Sequence, residues 1–196
     1  MPNWIKNELT VCGEAEKMNE FVERLKGTDE RGEEKLLDEN AVIPYPVQFI
    51  DMDRLVNEWS AKWEKICNIL KSHGHINAVR PERKQAWEKF KEENGNRPTD
   101  GYNQGGQQWR EQYWGTKWGL CNVKLVTAPW DWKYGSVNNK DKITLEYGFD
   151  TVWNPPLPLI KRMGEKFPEL KFDLKYFGDG LDGNFTMENG EKTSEE

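Results

Sequence analysis

The side chains best suited to act on something outside the chain stand in the string WGTKWGLCNV, where Trp114, Thr116, Lys117 and Trp118 set two indoles beside an ammonium group. An indole brings a large apolar area and one N–H donor, and a lysine adds charge. Together they form a surface that stacks on a base or anchors a partner protein. The alternative is architectural: a helical insertion folds back over the sheet and buries these rings as a second small core. Trp130 and Trp132, in APWDWKYGSVNNKD, and Trp153, in FDTVWNPP, are secondary anchors from adjoining loops.

The groups that could carry catalysis are few. His73 and His75 are the only histidines, and Cys12, Cys67 and Cys121 are scattered with no CxxC spacing. A nucleophilic cysteine needs a base at hydrogen-bond distance, and nothing in the spacing supplies one. HGH could share a metal along a strand, yet no further ligand spacing completes a zinc site, so no metal is expected. Asp150 and Thr151 stand at a strand-to-helix junction of the kind that holds anions, but Pro155 and Pro156 remove two N–H donors there, which favours a rigid N-capped turn. GxxxxGK[ST] and GxGxxG are both absent, so no nucleotide cofactor is expected. The expectation is therefore a non-catalytic protein; an enzyme acting on a nucleotide, with Asp150 or His73 as base, is the weaker alternative.

These residues must be positioned by elements legible from periodicity. Residues 3–12 alternate, with Ile5, Leu9 and Val11 on one side and Lys6, Glu8 and Thr10 on the other, which predicts a half-buried strand. Met18, Phe21, Val22 and Leu25 follow at helical spacing. Residues 27–40 read as a charged loop, and Pro44 and Pro46 forbid a central strand in AVIPYPVQF. From Phe49 to Leu70 one apolar stripe, including Trp59, Trp63 and Ile66, predicts a helix of about twenty residues. A second helix is expected from near Pro81 through Trp87 and Phe90, and a short third one through Gln107, Trp109 and Tyr113.

After Gly115 the period returns to two. Cys121, Val123 and Leu125 should face inward, and Trp118, Leu120, Asn122 and Lys124 outward. A long-looped hairpin leads to a strand through Ile143, Leu145, Tyr147 and Phe149. Asn154 is placed to cap a helix carrying Leu157, Ile160, Met163 and Phe167, and Leu170 to Tyr176 alternate as a last core strand. The order is then that of an α+β, ferredoxin-like split βαβ sandwich (βαββαβ), with 1–26 plus 116–188 as the domain, 27–115 as a large helical insertion and 189–196 as an acidic tail. In such a two-layer fold the helices cover one sheet face, and the other is solvated or covered by something else.

Composition narrows the function classes. The 196 residues carry a net charge of −6 and a mean hydropathy of −0.94, with ten Trp, eight Phe and six Tyr to build the core. Net acidity disfavours nucleic acid as the partner, because phosphate binding needs local positive charge. The acidic runs DERGEEKLLDEN and ENGEKTSEE read as solvated loops rather than as mimics of nucleic acid. No apolar run reaches the length of a membrane span and MPNWIKNELT lacks a leader pattern, which suggests a cytoplasmic protein with no membrane partner.

The strings MPNW, NELTVCG, NAVIPYP, WGTKWGLCNV, FDTVWNPPLPLI and FPELKFDLKYF together resemble the YubB family carried by plasmids and phages. That resemblance implies a mobile-element protein with a ferredoxin-like domain and transfers no catalytic residue; an acidic residue often stands in that family where this chain has Gly119. Combined with the tryptophan content, it leads to the expectation of a small binding protein of phage or plasmid origin. This protein would dock on a host protein or ribonucleoprotein and inhibit it, as an anti-CRISPR factor does. Trp114, Thr116, Lys117 and Trp118 would be the main contacts and Trp130, Trp132 and Trp153 the secondary ones. A single-stranded nucleic-acid module is the alternative. It is disfavoured because the outward positions Lys6, Glu8, Thr10, Thr144 and Glu146 carry no ring for a base to stack on.

Overall fold

The alternation at the amino terminus builds an eleven-residue strand, β1 (Trp4–Glu14), whose odd positions from Ile5 to Gly13 are buried while Trp4, Lys6, Glu8 and Glu14 are exposed. A computed structural model describes residues 3–28, 32–101, 105–127 and 142–195. Two compact units result, Met1–Tyr45 with Trp109–Glu196, and Pro46–Gln108.

In the first unit β1 leads into α1 (Ala15–Leu25), which buries Met18, Phe21, Val22 and Leu25, the four residues at helical spacing. The short strands β2 (Gly27–Thr28) and β3 (Glu34–Lys35) pair with each other, and α2 (Glu39–Val42) starts where the Asp38 carboxylate accepts from the Asn40 N–H at 3.2 Å. Residues 27–45 thus belong with the sheet rather than with the insertion. The cause is in the sequence: Leu37 and Val42, within an otherwise charged run, are both fully buried in the main core.

The sheet is completed by β4 (Cys121–Thr127), β5 (Lys142–Val152), β6 (Lys171–Gly178), β7 (Leu181–Glu188) and β8 (Glu191–Glu195), in the order β4-β5-β1-β6-β7-β8 with every pair antiparallel. The fold is α+β with an antiparallel sheet. Register sets the two faces: Leu9 opposes Tyr147 and Leu174, and Val11 opposes Leu145 and Phe172, all buried. The helix α6 (Leu157–Lys166) adds Leu159, Ile160 and Met163 to this core. Phe21 is its aromatic hub, in edge contact with Phe167 at 5.2 Å, Phe172 at 5.6 Å and Tyr147 at 6.4 Å. Such a ring removed from water contributes roughly 1.5–3 kcal/mol.

Three expectations are corrected by geometry. Asn154 is no N-cap; α6 follows directly on Pro156, with no side-chain cap bond, because fixed proline dihedrals already set the first turn. Leu120 is buried rather than outward, since it precedes β4 and the alternation used to place it begins only at Cys121. Residues 191–195 are strand rather than tail: Thr186 pairs with Ser194 and Phe185 with Glu195, and Lys192 pairs with Glu195 at 2.9 Å.

The second unit contains α3 (Val47–Ser72) and α4 (Ile76–Asn94). The latter starts five residues before Pro81, which sits inside the helix and removes one backbone donor. The stripe noted in the sequence packs Trp59 against Trp87 at 4.7 Å, and Trp87 stacks on Phe90 at 5.2 Å. The helix α5 (Gln107–Tyr113) follows. Among the described residues no helix is long and apolar enough to cross a membrane.

Candidate functional site at the end of the sheet

The segment after α5 is held against the end of β5 by a set of polar bonds. Gly115 makes the turn possible. Its φ of +84° is open to glycine, and an added Cβ would lie 2.5 Å from Pro158 Cδ and 3.1 Å from the Pro155 carbonyl oxygen. Thr116 follows, fully buried; its hydroxyl donates to the Val152 carbonyl at 2.9 Å and accepts from the Val152 N–H at 3.1 Å. The Lys117 N–H donates to the same carbonyl at 3.2 Å. On its other side, Arg110 Nε donates to the Lys117 carbonyl at 2.9 Å and Arg110 Nη1 to the Tyr45 hydroxyl at 2.8 Å.

This clamp decides which tryptophan is inside. Trp114 is 4% exposed; its N–H donates to the Ile43 carbonyl at 2.9 Å, and Tyr45 and Trp109 each lie 5.5 Å from its ring. Trp118 is 41% exposed and meets Trp4, itself 40% exposed, edge-on at 5.8 Å. Lys117 lays its ammonium 4.0 Å from the centre of the half-buried Trp153 ring. Burial holds the Lys117 ammonium below its usual pKa, Arg110 adding to the effect and Glu111 opposing it. Trp153 has φ 76°, a strained value for a bulky side chain, and is fixed there by its N–H donating to the Asn3 carbonyl at 2.9 Å. Because Trp4 opposes Val152 in the sheet register, the Trp4–Trp118 pair and the Lys117–Trp153 pair lie at the same end of the sheet.

Asn7, buried on β1, donates its Nδ2 to Thr151 Oγ1 at 3.0 Å while its Oδ1 has no hydrogen-bond partner among the described residues; the remaining charged groups nearby are engaged. Asp150 pairs with Lys6 at 2.9 Å and accepts from Asn122 at 2.8 Å. Burial alone would raise its pKa, but the bonds from Asn122 and Lys6 outweigh it and hold the carboxyl below its ordinary value, which makes it a poor base. Asn3 bonds Asp179. A cleft of about 610 Å³ is lined by Lys35, Glu39, Cys121 and Asn122. Burial pushes the Cys121 thiol up, with Glu39 and Asp150 adding to it, so its nucleophilic thiolate is disfavoured. The Lys35 ammonium is taken by Glu39 at 2.8 Å and Asp38 at 3.2 Å. His73 closes the end of α3 by its Nδ1 contact with the Ile69 carbonyl at 2.8 Å. Among the described residues no three His, Cys, Asp or Glu side chains are grouped to hold a metal.

Of the residues singled out from sequence, Lys117, Trp118 and Trp153 come together at the surface. Trp114 and Thr116 do not reach it; both are buried and act as supports, because one side chain needed its N–H satisfied and the other had a backbone pair to bridge. Trp130 and Trp132 lie outside the described residues. Trp4 was missed, although the alternation that put Lys6 and Glu8 outward extends to it. Phe177, 46% exposed and opposite Lys6 in register, was missed because the apolar alternation of β6 ends at Tyr176.

Residues 131–196 match the family model described as the ferredoxin-like domain in Api92-like protein. Among solved structures the chain is similar to a protein api92 from Yersinia pseudotuberculosis, at 10% identity and a TM-score of 0.47, over 100% of this chain and 98% of that one. No curated protein matches. These findings replace the YubB resemblance. Two of the strings that suggested it, FDTVWNPPLPLI and FPELKFDLKYF, fall within the residues matched by the Api92-like family model. The phage or plasmid origin and the inhibitor and anti-CRISPR roles rested on that resemblance and have no other support.

Proposed function

We propose that the chain is a non-catalytic binding protein that docks on another protein through the sheet end formed by Trp4, Trp118, Lys117 and Trp153. The domain that presents this surface is read as a split βαβ ferredoxin-like sandwich, with the helical unit as an insertion and β7 and β8 as an extension of the sheet. One observation carries the reading: two tryptophans in edge contact, each about two-fifths exposed, on a backbone rigidly clamped by Thr116. Rings of this kind are the usual anchors of protein interfaces, where they contribute area at little entropic cost because they are held in place before the partner arrives. Inhibition of a host defence is no part of the proposal.

The test is capture of partners from cell lysate with wild-type protein, Trp118→Ala and the control Trp63→Ala, each checked for folding by circular dichroism. A partner held by wild type and control and lost by Trp118→Ala supports the reading; equal capture by all three refutes it.

The exposed rings of Trp4 and Phe177, on the outer face of neighbouring strands, favour a second reading, stacking of a single-stranded nucleic acid. The same face sets Glu8, Glu146, Asp150 and Asp173 among Lys6, Lys124, Lys171 and Lys175, and Asp150 and Asp173 neutralise Lys6 and Lys171 directly, at 2.9 and 3.4 Å. A face so balanced lacks the positive field that phosphates need. A gel shift with labelled oligothymidylate that weakens with salt would decide for it.

A further inference from the structure

We infer that the surface around Trp118 selects a partner protein segment in which an exposed carboxylate stands beside an apolar side chain. This deepens the docking proposal and rests on it. The argument is one of charge. At this end of the sheet the acids are engaged, Asp150 with Lys6 and Asn122 and Asp179 with Asn3. Lys117 differs. Its ammonium lies 4.0 Å from the Trp153 ring centre and is paired with no carboxylate among the described residues, while Glu111 acts on it only through space. Arg110, on the other side of the same segment, directs donors inward to the Lys117 carbonyl and the Tyr45 hydroxyl, and its charge acts on Lys117 less strongly than that of Glu111. The charge at the apolar patch that lacks a direct carboxylate partner among the described residues is thus a cation, partly desolvated and held against the Trp153 ring.

The geometry states what would fit. An indole face under Lys117 leaves the ammonium donors pointing away from the ring, toward whatever docks. The Trp4–Trp118 pair beside it offers apolar area. A carboxylate meeting Lys117 while its neighbouring side chain covers Trp118 would satisfy both at once. A neutral amide would cover the ring and leave the charge unpaired. A cationic segment would be repelled. The strained backbone at Trp153 belongs to the same arrangement, since relaxing it would withdraw the ring from beneath the ammonium.

The experiment uses the full ¹⁵N-labelled chain and follows the tryptophan indole N–H signals, assigned by single Trp→Phe replacements. Three probes are titrated: the peptide acetyl-Phe-Glu-Leu-amide, its Gln analogue, and oligothymidylate. The expected result is a saturable shift of the Trp118 and Trp153 signals with the acidic peptide, about two- to fivefold tighter than with the Gln analogue, the range an exposed ion pair provides. That preference disappears in Lys117→Gln and returns in Lys117→Arg, which separates charge from packing. Equal affinity for both peptides, no saturable shift, shifts confined to other tryptophans, or tighter binding of oligothymidylate at the same signals would each overturn the inference. The docking proposal fails separately, when Trp118→Ala captures the same partners as wild type.

Discussion

Trp114 and Trp118 are four residues apart in one string and meet opposite fates. The first is enclosed by Tyr45, Trp109 and the Ile43 carbonyl; the second lies open on Trp4. Residue type does not separate them. What separates them is the turn at Gly115 and the Thr116 clamp on Val152, which place one ring before the turn, inside, and one after it, outside. An indole is inside when its N–H finds an acceptor there, and Trp114 has one.

The largest test of this contrast is Trp114→Ala. It should destabilise the protein by about 3–5 kcal/mol in urea unfolding, the cost of emptying a large buried aromatic site. A loss no greater than that of an exposed ring would mean that the nest around Trp114 does not form.

The buried side also has a pH signature. Burial raises the Tyr147 hydroxyl to about 12. The folded state therefore favours the neutral phenol; its contribution is complete below the unfolded value near 10 and is lost as pH rises from there to about 12. Two pKa units correspond to about 2–3 kcal/mol. Alkaline unfolding scans should show that loss in wild type and a correspondingly smaller one in Tyr147→Phe.

Thr116→Val keeps the shape and removes the bridging hydroxyl, leaving the Val152 N–H without that acceptor. A loss of about 1–3 kcal/mol is expected. Because the clamp also sets Trp118, quenching of tryptophan fluorescence by acrylamide should change in the same variant. If stability falls and quenching is unaltered, the clamp does not govern the exposed ring.

Trp118→Ala should be the mildest, about 1–2 kcal/mol below wild type, since two-fifths of its surface is already in water. Loss of a partner with only this small loss of stability is the combination that marks an interface. A destabilisation comparable with that of Trp114→Ala would instead show Trp118 to be core.

Much of this was legible in the chain. Periodicity located β1, α1, the long helix, α5 and the strands through Leu145 and Phe172, because burial of one face imposes a period of two or 3.6 on local sequence. Lys117 and Trp118 were singled out by their types alone. The Thr116 bond to Val152 spans 36 residues, and Trp4 reaches Trp118 across most of the sheet's connectivity; no local pattern encodes either. The acidic 191–195 segment looked like a tail because its charges suit solvent, yet an edge strand with two polar faces also suits solvent, and backbone pairing with β7 decided between them.

By itself, then, the sequence determined which side chains were apolar, which segments alternated, and that the chain carried more tryptophans than one core requires. Only the tertiary structure decided which of those rings were core and which were surface. Exposure depends on what the chain brings back from far away: the Ile43 carbonyl to receive one indole N–H, the Val152 backbone to hold a threonine, and Trp153 to lie beneath a lysine that the local sequence left without a partner.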